Sequence, residues 1–392
     1  MSCPICRADG MSVFFELPDV PVHCNVLCAT REEALAVPRG DIRLGFCRSC
    51  GLISNLAFEP ARMAYGGRYE NSLHVSPRFQ QYAEELAARL IETYELRGRY
   101  IIEIACGQGE FLRLLCRLGN NWGTGFDPSY VPGLVDGKLD RRVKFVTDYY
   151  SEEYAGLSAD LVCCRHALEH IADPVKFLRM VRRNVYGQRC PVLFFEVPNA
   201  LFTLRQNGFW DILYEHCTYF TPICLERVFK QSGFQVLEVR EEFGGQFVTI
   251  EARCTEGSGP AVESGDREDQ ELSRLSQDVE TFSQRYRLEL EGWHQRLAGL
   301  REQGRRVVTW GSGSKGTMFL NALQGCGGIE YVVDINPRKQ GMFVPASGQQ
   351  IVDPHQLQVL RPDVVLVMNR IYEDEIRRRV LDMNLRLQVL SV

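Results

Sequence analysis

Short apolar runs alternate with stretches of helical periodicity through the middle of the chain. An apolar run over residues 101–105 enters a glycine-rich turn at 106–109, and apolar residues at helical spacing follow over 111–115. This order predicts a buried parallel strand that feeds a helix through a tight loop. Later apolar runs predict further strands of the same sheet at 123–127, 143–147, 161–164, 191–197 and 247–252.

Two amphipathic patterns flank this alternation. Residues 79–96 carry apolar residues at helical spacing, which predicts a helix beside the sheet. Residues 266–304 are highly charged and repeat apolar residues at the same spacing, which predicts one long helix that bridges two domains. A partner-binding or coiled-coil helix is the alternative for this segment. The stretch 255–265 before it is rich in Gly, Ser, Pro and Glu, which predicts a linker.

A second strand–turn–helix pattern begins in the last part of the chain. Its apolar run enters a turn with three glycines, and the next apolar run, 331–334, ends in an acidic residue. Further strands are expected at 363–368 and 387–392, with a helix at 373–384. We therefore predict a shorter, Rossmann-like α/β unit, in which the first helix N-terminus and Lys315 offer a seat for a phosphate.

The residues of this second turn predict a substrate site. A pyrophosphate-bearing substrate suits the turn better than a second redox cofactor, because the first turn already offers a cofactor site. An NAD-dependent oxidoreductase built on the second turn is the alternative, and the truncated half-fold argues against it. The expected substrate-binding residues are Gly311, Gly313, Ser314, Lys315 and Asp334, together with Asn199 after the strand at 191–197.

Together these patterns predict an α/β protein of several domains. A chain of 392 residues exceeds one ordinary core, so two or three domains are expected. The predicted division has a small N-terminal module at 1–62 and a central parallel-sheet domain at 63–255. A linker with the bridging helix follows at 256–304, and a smaller Rossmann-like domain occupies 305–392.

Composition and charge narrow the class of protein. Apolar residues make up 45% of the chain and charged residues 24%, as in soluble globular proteins. A net charge of −5 argues against nucleic acids and membrane surfaces as partners. No apolar stretch approaches the ~18 residues of a transmembrane helix, and we expect no signal peptide. The expected protein is cytoplasmic, a monomer or homodimer, and acts on a small molecule.

Cysteines are frequent, and four of the fifteen form two CxxC pairs, Cys3 with Cys6 and Cys47 with Cys50. Two such pairs offer the four thiolates of a closed tetrahedral zinc site. We therefore predict a structural zinc module, with a strand at 41–46 between the pairs. Buried or redox-active cysteines are the alternative. Cys24 and Cys28 form a CxxxC pair, for which we expect packing in the core, with a role as substitute ligands as the alternative.

The first glycine turn carries the pattern E-x-A-x-G-x-G, and Asp127 ends the following strand. Glycines let the backbone approach a ligand closely, and Rossmann-like sites hold ribose hydroxyls with a carboxylate at the second strand end. The pattern resembles the first motif of class I S-adenosylmethionine-dependent methyltransferases. A structural turn without a ligand is the alternative. The expected cofactor-binding residues are Glu103, Ala105, Cys106, Gly107, Gly109, Phe111, Asp127, Pro128, Thr147, Asp148, Arg165 and His166.

A cluster of aromatic and ionisable residues within 207–229 is the candidate for catalysis. It contains Tyr214, Glu215 and His216 in succession. Histidine suits general-base work near neutral pH, and an adjacent carboxylate or phenol can orient it. The alternative is a half-buried aromatic cluster around one hydrogen-bonded histidine. Upstream, the tyrosine-rich segment 65–76 is open to two interpretations, a lid over the cofactor and a surface loop.

The order of motifs along the chain is more specific than any one of them. Paired CxxC motifs, ExAxGxG, RHxLEHI, a Glu-His pair before YFT, a long helix and a GSGSKG loop span nearly the whole sequence. This order resembles the three-part sugar C-methyltransferases that act on nucleotide-activated deoxysugars. The resemblance implies an N-terminal zinc module, a central class I methyltransferase domain and a C-terminal Rossmann-like domain.

The same resemblance implies C-methylation at the carbon next to a keto group, through an enolate that a base generates. It assigns the role of base to His216 and the role of its orienter to Glu215. It further implies Tyr69 as the lid tyrosine and His166 as a second polar group near the methyl group. The cofactors that it implies are S-adenosylmethionine and zinc, and the substrate is a nucleoside-diphosphate keto-deoxysugar.

One departure from the family pattern lies next to the Glu-His pair. The family has its catalytic tyrosine two positions before the glutamate, where this chain has Leu213, and Tyr214 stands one position closer. The methylated atom and the identity of the activated substrate are therefore open. An O- or N-methyltransferase on another metabolite and a non-catalytic S-adenosylmethionine-binding protein are the alternatives.

Overall fold

Three β-sheets organise the part of the chain that the computed structural model describes, residues 2–63, 65–134, 141–187, 191–255, 265–323 and 328–392. In chain order the strands are β1 (Ser12–Pro21), β2 (Arg39–Phe46), β3 (Ile53–Asn55), β4 (Tyr100–Ile104), β5 (Trp122–Phe126), β6 (Val143–Val146), β7 (Leu161–Arg165), β8 (Val192–Pro198), β9 (Thr218–Tyr219), β10 (Phe234–Glu242), β11 (Phe247–Cys254), β12 (Val307–Trp310), β13 (Ile329–Val333), β14 (Gln350–Val352), β15 (Val364–Val367) and β16 (Gln388–Ser391). The helices are α1 (Arg31–Leu35), α2 (Pro77–Thr93), α3 (Glu110–Gly119), α4 (Pro174–Val185), α5 (Ala200–Arg205), α6 (Pro222–Gln231), α7 (Asp266–Glu302), α8 (Ser314–Ala322), α9 (Leu357–Leu360) and α10 (Glu373–Asp382).

The central sheet has the strand order β10-β11-β8-β7-β4-β5-β6. Strands β4 to β8 run parallel, and β11 and then β10 are added antiparallel on one side. In such sheets ligands bind beyond the carboxyl ends of the strands, where the chain order reverses. The reversal falls between β4 and β7, so the loop after β4 lies at the middle of that edge. The predicted parallel α/β sheet is confirmed, and β10 is an edge strand that the apolar runs did not predict.

The C-terminal sheet repeats this arrangement on a smaller scale. Its order is β14-β13-β12-β15-β16, and all of its neighbouring strands are parallel. The chain order reverses next to β12, so the glycine loop after β12 lies at the ligand edge of this sheet. The predicted Rossmann-like unit is thereby confirmed.

The N-terminal sheet is antiparallel and combines two distant parts of the chain. Its order is β1-β2-β3-β9, and β3 pairs with β9 through Ile53 opposite Tyr219 and Ser54 opposite Thr218. Strand β9 follows Glu215 and His216 directly, so this pairing holds the Glu-His pair against the N-terminal module. The sheet therefore crosses the predicted boundary at residue 62, and the division into domains stays a prediction.

Helix α7 connects the N-terminal sheet with the C-terminal part. The ring of Phe282 packs on Phe14, with centroids 6.2 Å apart, and further along the helix Trp293 packs on Phe319 of α8, at 5.3 Å. Its span agrees with the long helix predicted from the charged amphipathic pattern. Residues 256–264 of the predicted linker lie outside the described residues. Among the helices that are described, none combines the length and apolar character that a membrane span needs.

We expect Phe282→Ala to lower the free energy of unfolding by about 3–5 kcal/mol, because it removes a fully buried ring from the contact between α7 and β1. Leu288→Ala on the same helix is the matched control, since Leu288 is 67% exposed, and its effect should stay within about 0.5 kcal/mol. Urea unfolding of both variants checks this. Equal losses in the two variants would contradict the bridging role of the buried face.

Candidate active site

One cavity of about 660 Å³ lies where the three parts of the chain meet. The loop after β4 forms one wall of the cavity, and the glycine loop after β12 forms the opposite side. The segment 65–76, called the lid below, lies over the cavity. Residues from the Glu-His region, including Leu213 and His216, complete the lining. The cavity therefore brings together the predicted cofactor turn, catalytic cluster and substrate turn.

The loop after β4 has a backbone that suits close approach of a ligand. Ala105, Gly107 and Gly109 all have positive φ, at 55°, 55° and 81°. A Cβ on Gly107 would meet no atom within 4 Å, so the backbone there faces open space, whereas one on Gly109 would lie 2.2 Å from the Phe145 ring. The Gly107 N–H donates to the Asp127 carboxylate at 2.8 Å. Asp127 thus holds the loop from the end of β5.

Glu103, on β4, is a buried acid with an unsatisfied oxygen. Its side chain is only 3% exposed, its Oε2 has no hydrogen-bond partner, and it lines the cavity. Burial raises the pKa of Glu103 to about 8. A cationic or hydrogen-bond-donating ligand in the cavity would satisfy this carboxyl group.

Ten of the twelve predicted cofactor residues line the cavity, and two do not. Gly109 is the N-cap of α3 and lies against the Phe145 ring. Thr147 is exposed beyond the end of β6. The ten lining residues are Glu103, Ala105, Cys106, Gly107, Phe111, Asp127, Pro128, Asp148, Arg165 and His166. Periodicity placed Thr147 correctly after its strand but could not show that its side chain turns to solvent.

Arg165 and His166 both contact one buried glutamate, near the end of the strand predicted at 191–197. Glu196, from β8, accepts two hydrogen bonds from Arg165 at 2.8 and 3.0 Å and lies 2.8 Å from His166 Nε2. Tyr82 of α2 also donates to it. Burial opposes ionisation of Glu196, but Arg165 and His166 outweigh burial and lower its pKa to about 2. His166, with a positive φ of 51°, is thus fixed at the cavity wall.

The Glu215 carboxylate is fully buried and lies behind the lid rather than in the cavity lining. Its oxygens accept the Tyr69 hydroxyl at 2.6 Å and the Cys24 backbone N–H at 3.0 Å. Tyr69 itself lines the cavity. The predicted pairing of Glu215 with the His216 ring is therefore corrected: the carboxylate points to Tyr69, because Cys24 and the lid supply its donors.

His216 packs on a second histidine instead. Its ring lies edge-to-face on His170, with centroids 4.9 Å apart, and both rings line the cavity. Nδ1 of His170 lies 2.9 Å from the Glu215 backbone oxygen and 2.8 Å from the Tyr65 hydroxyl. A carbonyl oxygen can only accept, so Nδ1 carries a proton and Nε2 of a neutral His170 is an acceptor. Burial lowers the pKa of His216 well below its usual value, so this ring is neutral at neutral pH.

Glu169 completes this cluster from the residue before His170. Its carboxyl group is 2% exposed, and one oxygen has no hydrogen-bond partner. Donor atoms of Glu169, His170 and His216 lie within 4.8 Å of one another. Burial raises the pKa of Glu169 to about 8. Local patterns did not separate Glu169 or Tyr65 from ordinary loop residues, although RHxLEHI marked the region around His170.

Tyr214 does not reach the cavity, which corrects its predicted catalytic role. Its side chain is fully buried in the core beside the N-terminal sheet, packed on Phe58 with ring centroids 5.8 Å apart. Its hydroxyl accepts the Glu59 N–H at 3.1 Å, and a Cβ on Gly40 would come within 2.4 Å of its ring. The neighbouring Leu213 lines the cavity instead.

The substrate turn after β12 faces the same cavity. Asp334 accepts the Ser312 and Asn336 N–H groups, each at 2.8 Å, and so holds this loop as Asp127 holds the other. Lys315 forms an ion pair with Asp211. Of the predicted substrate-binding residues, those that line the cavity are Gly311, Gly313, Ser314, Lys315 and Asp334.

Two residues change the predicted substrate set. Asn199 caps α5 and donates to the Gly245 carbonyl at 2.9 Å, so its side chain supports the fold and does not line the cavity. Lys339 lines the cavity, and its ammonium group donates to Asn25 at 3.1 Å and to the Ser312 carbonyl at 3.4 Å. No motif marked Lys339, because it follows the second strand of this unit within an irregular segment.

The four cysteines of the CxxC motifs converge in the N-terminal module. Sulfur atoms lie 3.5 Å apart in Cys3 and Cys50 and 3.6 Å apart in Cys6 and Cys47, and all four lie within 4.8 Å of one another. Such spacing suits one tetrahedral ion. Cys24 and Cys28 do not belong to this cluster, and none of the four lines the cavity.

Comparisons with known proteins agree with this geometry. A methyltransferase domain model matches residues 76–239, and a model of the C-methyltransferase C-terminal domain matches residues 243–385. The C-methyltransferase NovU of Streptomyces niveus is 26% identical over 397 residues, which cover 95% of this chain and 90% of that protein. The chain is an S-adenosylmethionine-dependent methyltransferase, and over nearly its whole length it is similar to a C-methyltransferase. The strand order of its central sheet is that of the predicted class I methyltransferase domain.

Solved methyltransferase structures resemble this methyltransferase over less than half of its length. A putative S-adenosylmethionine-dependent methyltransferase from Listeria monocytogenes is 14% identical, with a TM-score of 0.34 over 45% of this chain and 100% of that chain. The magnesium protoporphyrin IX methyltransferase of Synechocystis PCC 6803, solved with bound S-adenosylhomocysteine, is 16% identical. Its TM-score is 0.35, over 45% of this chain and 84% of that chain.

The loop after β4 offers groups that suit S-adenosylmethionine. The open face of Gly107 leaves room for close backbone approach, and the unsatisfied Glu103 oxygen can accept from a cationic ligand. Asp127 ends β5, where a carboxylate accepts ribose hydroxyls in Rossmann-like sites. We therefore expect the methyl donor of this methyltransferase here and not at the similar loop after β12.

We expect Asp127→Asn to weaken S-adenosylmethionine binding by about tenfold, because it removes a charged acceptor that also fastens Gly107. Asp334→Asn is the matched control, since Asp334 fastens the loop after β12 in the same way, and it should leave that affinity unchanged. Calorimetric titration of both variants with S-adenosylmethionine measures the difference. A loss confined to Asp334→Asn would move the donor to the other loop.

Proposed function

We propose that this methyltransferase methylates the carbon next to the keto group of a nucleoside-diphosphate keto-deoxysugar, through an enolate. The observation that carries the proposal is the shared cavity. The loop after β4, the imidazoles of His170 and His216, and the loop after β12 all line this cavity. A substrate whose diphosphate binds at the loop after β12 would extend its sugar toward His170, His216 and the loop after β4.

The chemistry that we propose begins with proton removal by His216. Its neutral ring can accept the proton on the carbon next to the ketone, and the electron pair of that C–H bond moves onto the keto oxygen to form an enolate. His170 packs on His216 and fixes the position of its ring. When bound, S-adenosylmethionine supplies the electrophilic methyl group that the enolate carbon takes from the sulfonium. Glu215 acts through Tyr69 and is a positioning residue, since its carboxylate lies behind the lid.

The side chains near the second loop support a diphosphate-bearing substrate. Lys315 and Lys339 are cations in the cavity lining, and the first residues of α8, whose N-terminal N–H groups suit an anion, line the same cavity. Lys315 is paired with Asp211, and the charged oxygens of a diphosphate would compete with this carboxylate for the ammonium group. His166, fixed by Glu196, is the proposed second polar group near the methyl group.

We also propose that the chain works in the reducing cytoplasm. Buried cysteines outside the CxxC motifs, such as Cys24, Cys28 and Cys163, form no disulfide. Free thiols persist where disulfide formation is disfavoured. This supports, in the same way, thiolate ligation of a metal by the CxxC motifs.

The direct test of the proposed reaction is incubation with methyl-labelled S-adenosylmethionine and a panel of thymidine and uridine diphosphate keto-sugars. We expect one sugar to gain one labelled methyl group bound to carbon, as read by mass and by carbon NMR. A substrate deuterated next to the ketone should lose its deuterium to water. A label on oxygen or nitrogen, with the deuterium retained, would replace the proposal by an O- or N-methyltransferase.

We expect His216→Ala to lower turnover by about 10²–10⁴-fold, the usual contribution of a general base, while S-adenosylmethionine still binds. His355→Ala is the control, because His355 is exposed and lies outside the cavity lining. Methyl transfer is measured with the sugar that the panel identifies, and donor binding by calorimetry. Turnover close to that of the wild-type protein would exclude His216 as the base.

For the N-terminal module, we propose a structural zinc ion held by Cys3, Cys6, Cys47 and Cys50. The convergence of their sulfur atoms supports it, and a closed four-thiolate site leaves no open coordination position for catalysis. When bound, zinc would supply cross-links between the two CxxC knuckles. A structural role also agrees with the position of these four cysteines, since none of them lines the cavity where we place the reaction.

We expect Cys47→Ser to lose about one zinc ion per chain, because three thiolates hold the ion too weakly to keep it. Cys28→Ser, which removes a buried thiol outside the cluster, should keep the full metal content. Elemental analysis after dialysis measures both. Metal loss from Cys28→Ser instead of Cys47→Ser would show that Cys28, and not Cys47, is a zinc ligand.

A further inference from the structure

His23 lies directly behind the lid, between the N-terminal module and the catalytic cluster. Its ring meets the rings of Tyr65 and Tyr69 edge-on, with centroids 5.1 and 5.9 Å apart. Both ring nitrogens are buried and neither has a hydrogen-bond partner. Nδ1 lies 3.7 Å from Oε2 of Glu215. A polar ring in such a place needs an electrostatic partner, and Glu215 is the one at hand.

The backbone that follows His23 is fixed by contacts with two other parts of the chain. The N–H of Cys24 donates to Glu215 at 3.0 Å, and the Cys24 carbonyl accepts the Thr317 hydroxyl at 3.1 Å. One residue further, Asn25 accepts from Lys339 at 3.1 Å. These contacts hold residues 23–25 between the central and C-terminal parts of the chain.

Glu215 in turn needs a positive partner. Its carboxylate is fully buried, and its two hydrogen-bond donors, the Tyr69 hydroxyl and the Cys24 N–H, are neutral. A buried carboxylate without a counter-charge takes up a proton. A basic ring of the described residues lies within ion-pair distance of this carboxylate: Nδ1 of His23 is 3.7 Å from Oε2. The groups facing His23 are this carboxylate and the phenols of Tyr65 and Tyr69, with His170 on the far side of the carboxylate.

We infer that His23 is a positioning residue of the methyltransferase: it carries a proton, pairs with the Glu215 carboxylate, and the pair holds the Tyr69 hydroxyl beside the cavity. The inference rests on the proposed function, in which Glu215 acts through Tyr69, a residue of the cavity lining. Burial works to raise the pKa of Glu215, yet His23, His170 and Tyr69 together hold that pKa at about 2, which agrees with an ionised carboxylate. A neutral side chain at position 23 would leave Glu215 protonated and its bond from Tyr69 weakened.

The test reads the charge of the ring directly, by nitrogen NMR of the full chain with labelled histidine. There are seven histidines, and the signals of His23 are those that vanish in His23→Gln. At neutral pH we expect the two ring nitrogens of His23 to give the signals of an imidazolium in the wild-type protein. In Glu215→Gln they should become those of a neutral ring. A neutral His23 in the wild-type protein overturns the inference even where that variant fails to fold.

A second readout follows the effect on Tyr69. With tyrosine labelled at Cζ, whose shift reports the hydrogen bond of the hydroxyl, we expect the Tyr69 signal to move in His23→Gln. It should stay in place in His355→Gln, which changes an exposed histidine. An unmoved Tyr69 signal in a folded His23→Gln overturns the positioning role. Neither measurement needs methyl transfer, so failure of the proposed function and failure of this inference are distinguishable.

Discussion

The buried carboxylate of Glu215 is the contact on which the arrangement of the site depends. It accepts the Cys24 N–H from the N-terminal module and the Tyr69 hydroxyl from the lid, and its own backbone carbonyl binds His170 in the central part. Cys24 is bound in turn by Thr317 of α8. Removing a carboxylate from water is unfavourable unless several donors surround it, so the three parts must close together to supply them. The cavity is the space that this closure leaves.

The two Rossmann-like sheets hold their glycine loops in the same way. In each Rossmann-like sheet, an aspartate at the end of the second strand accepts the N–H of the glycine loop after the first strand: Asp127 with Gly107, and Asp334 with Ser312. Each loop is thereby held open at the edge of its sheet. Because helix α7 and strand β9 join the parts, the two open loops face a common cavity instead of separate surfaces. A methyl donor and a large activated substrate can thus meet away from bulk water.

The sequence predicted what depends on local periodicity. The strand–turn–helix units, the span of α7 and the set of cysteines that converges all follow from spacing within short segments. The predicted helix at 79–96 was placed well, but α2 ends at Thr93 because the chain after it turns through Glu95, which has a positive φ of 51°. Strand β10 was missed because it alternates apolar and polar residues at the sheet edge, which gives no continuous apolar run.

What could not be predicted depends on contacts between distant segments. Strand β9 has two residues and no signal of its own, yet its pairing with β3 decides that Tyr214 enters the core and Leu213 faces the cavity. His23 and Lys339 lie in unremarkable local patterns and gain their importance from partners far along the chain. Burial, and with it the charge state of Glu215 and His216, exists only after these pairings form.

The central claim is that the closure around Glu215 creates one reaction space for both ligands. A crystal structure of the full chain with S-adenosylhomocysteine and thymidine diphosphate tests it most directly. We expect the sulfur beside the loop after β4, the diphosphate at the loop after β12, and the His216 ring facing the gap between them. Ligands in separate cavities, or a His216 ring turned into packed hydrocarbon, would contradict it.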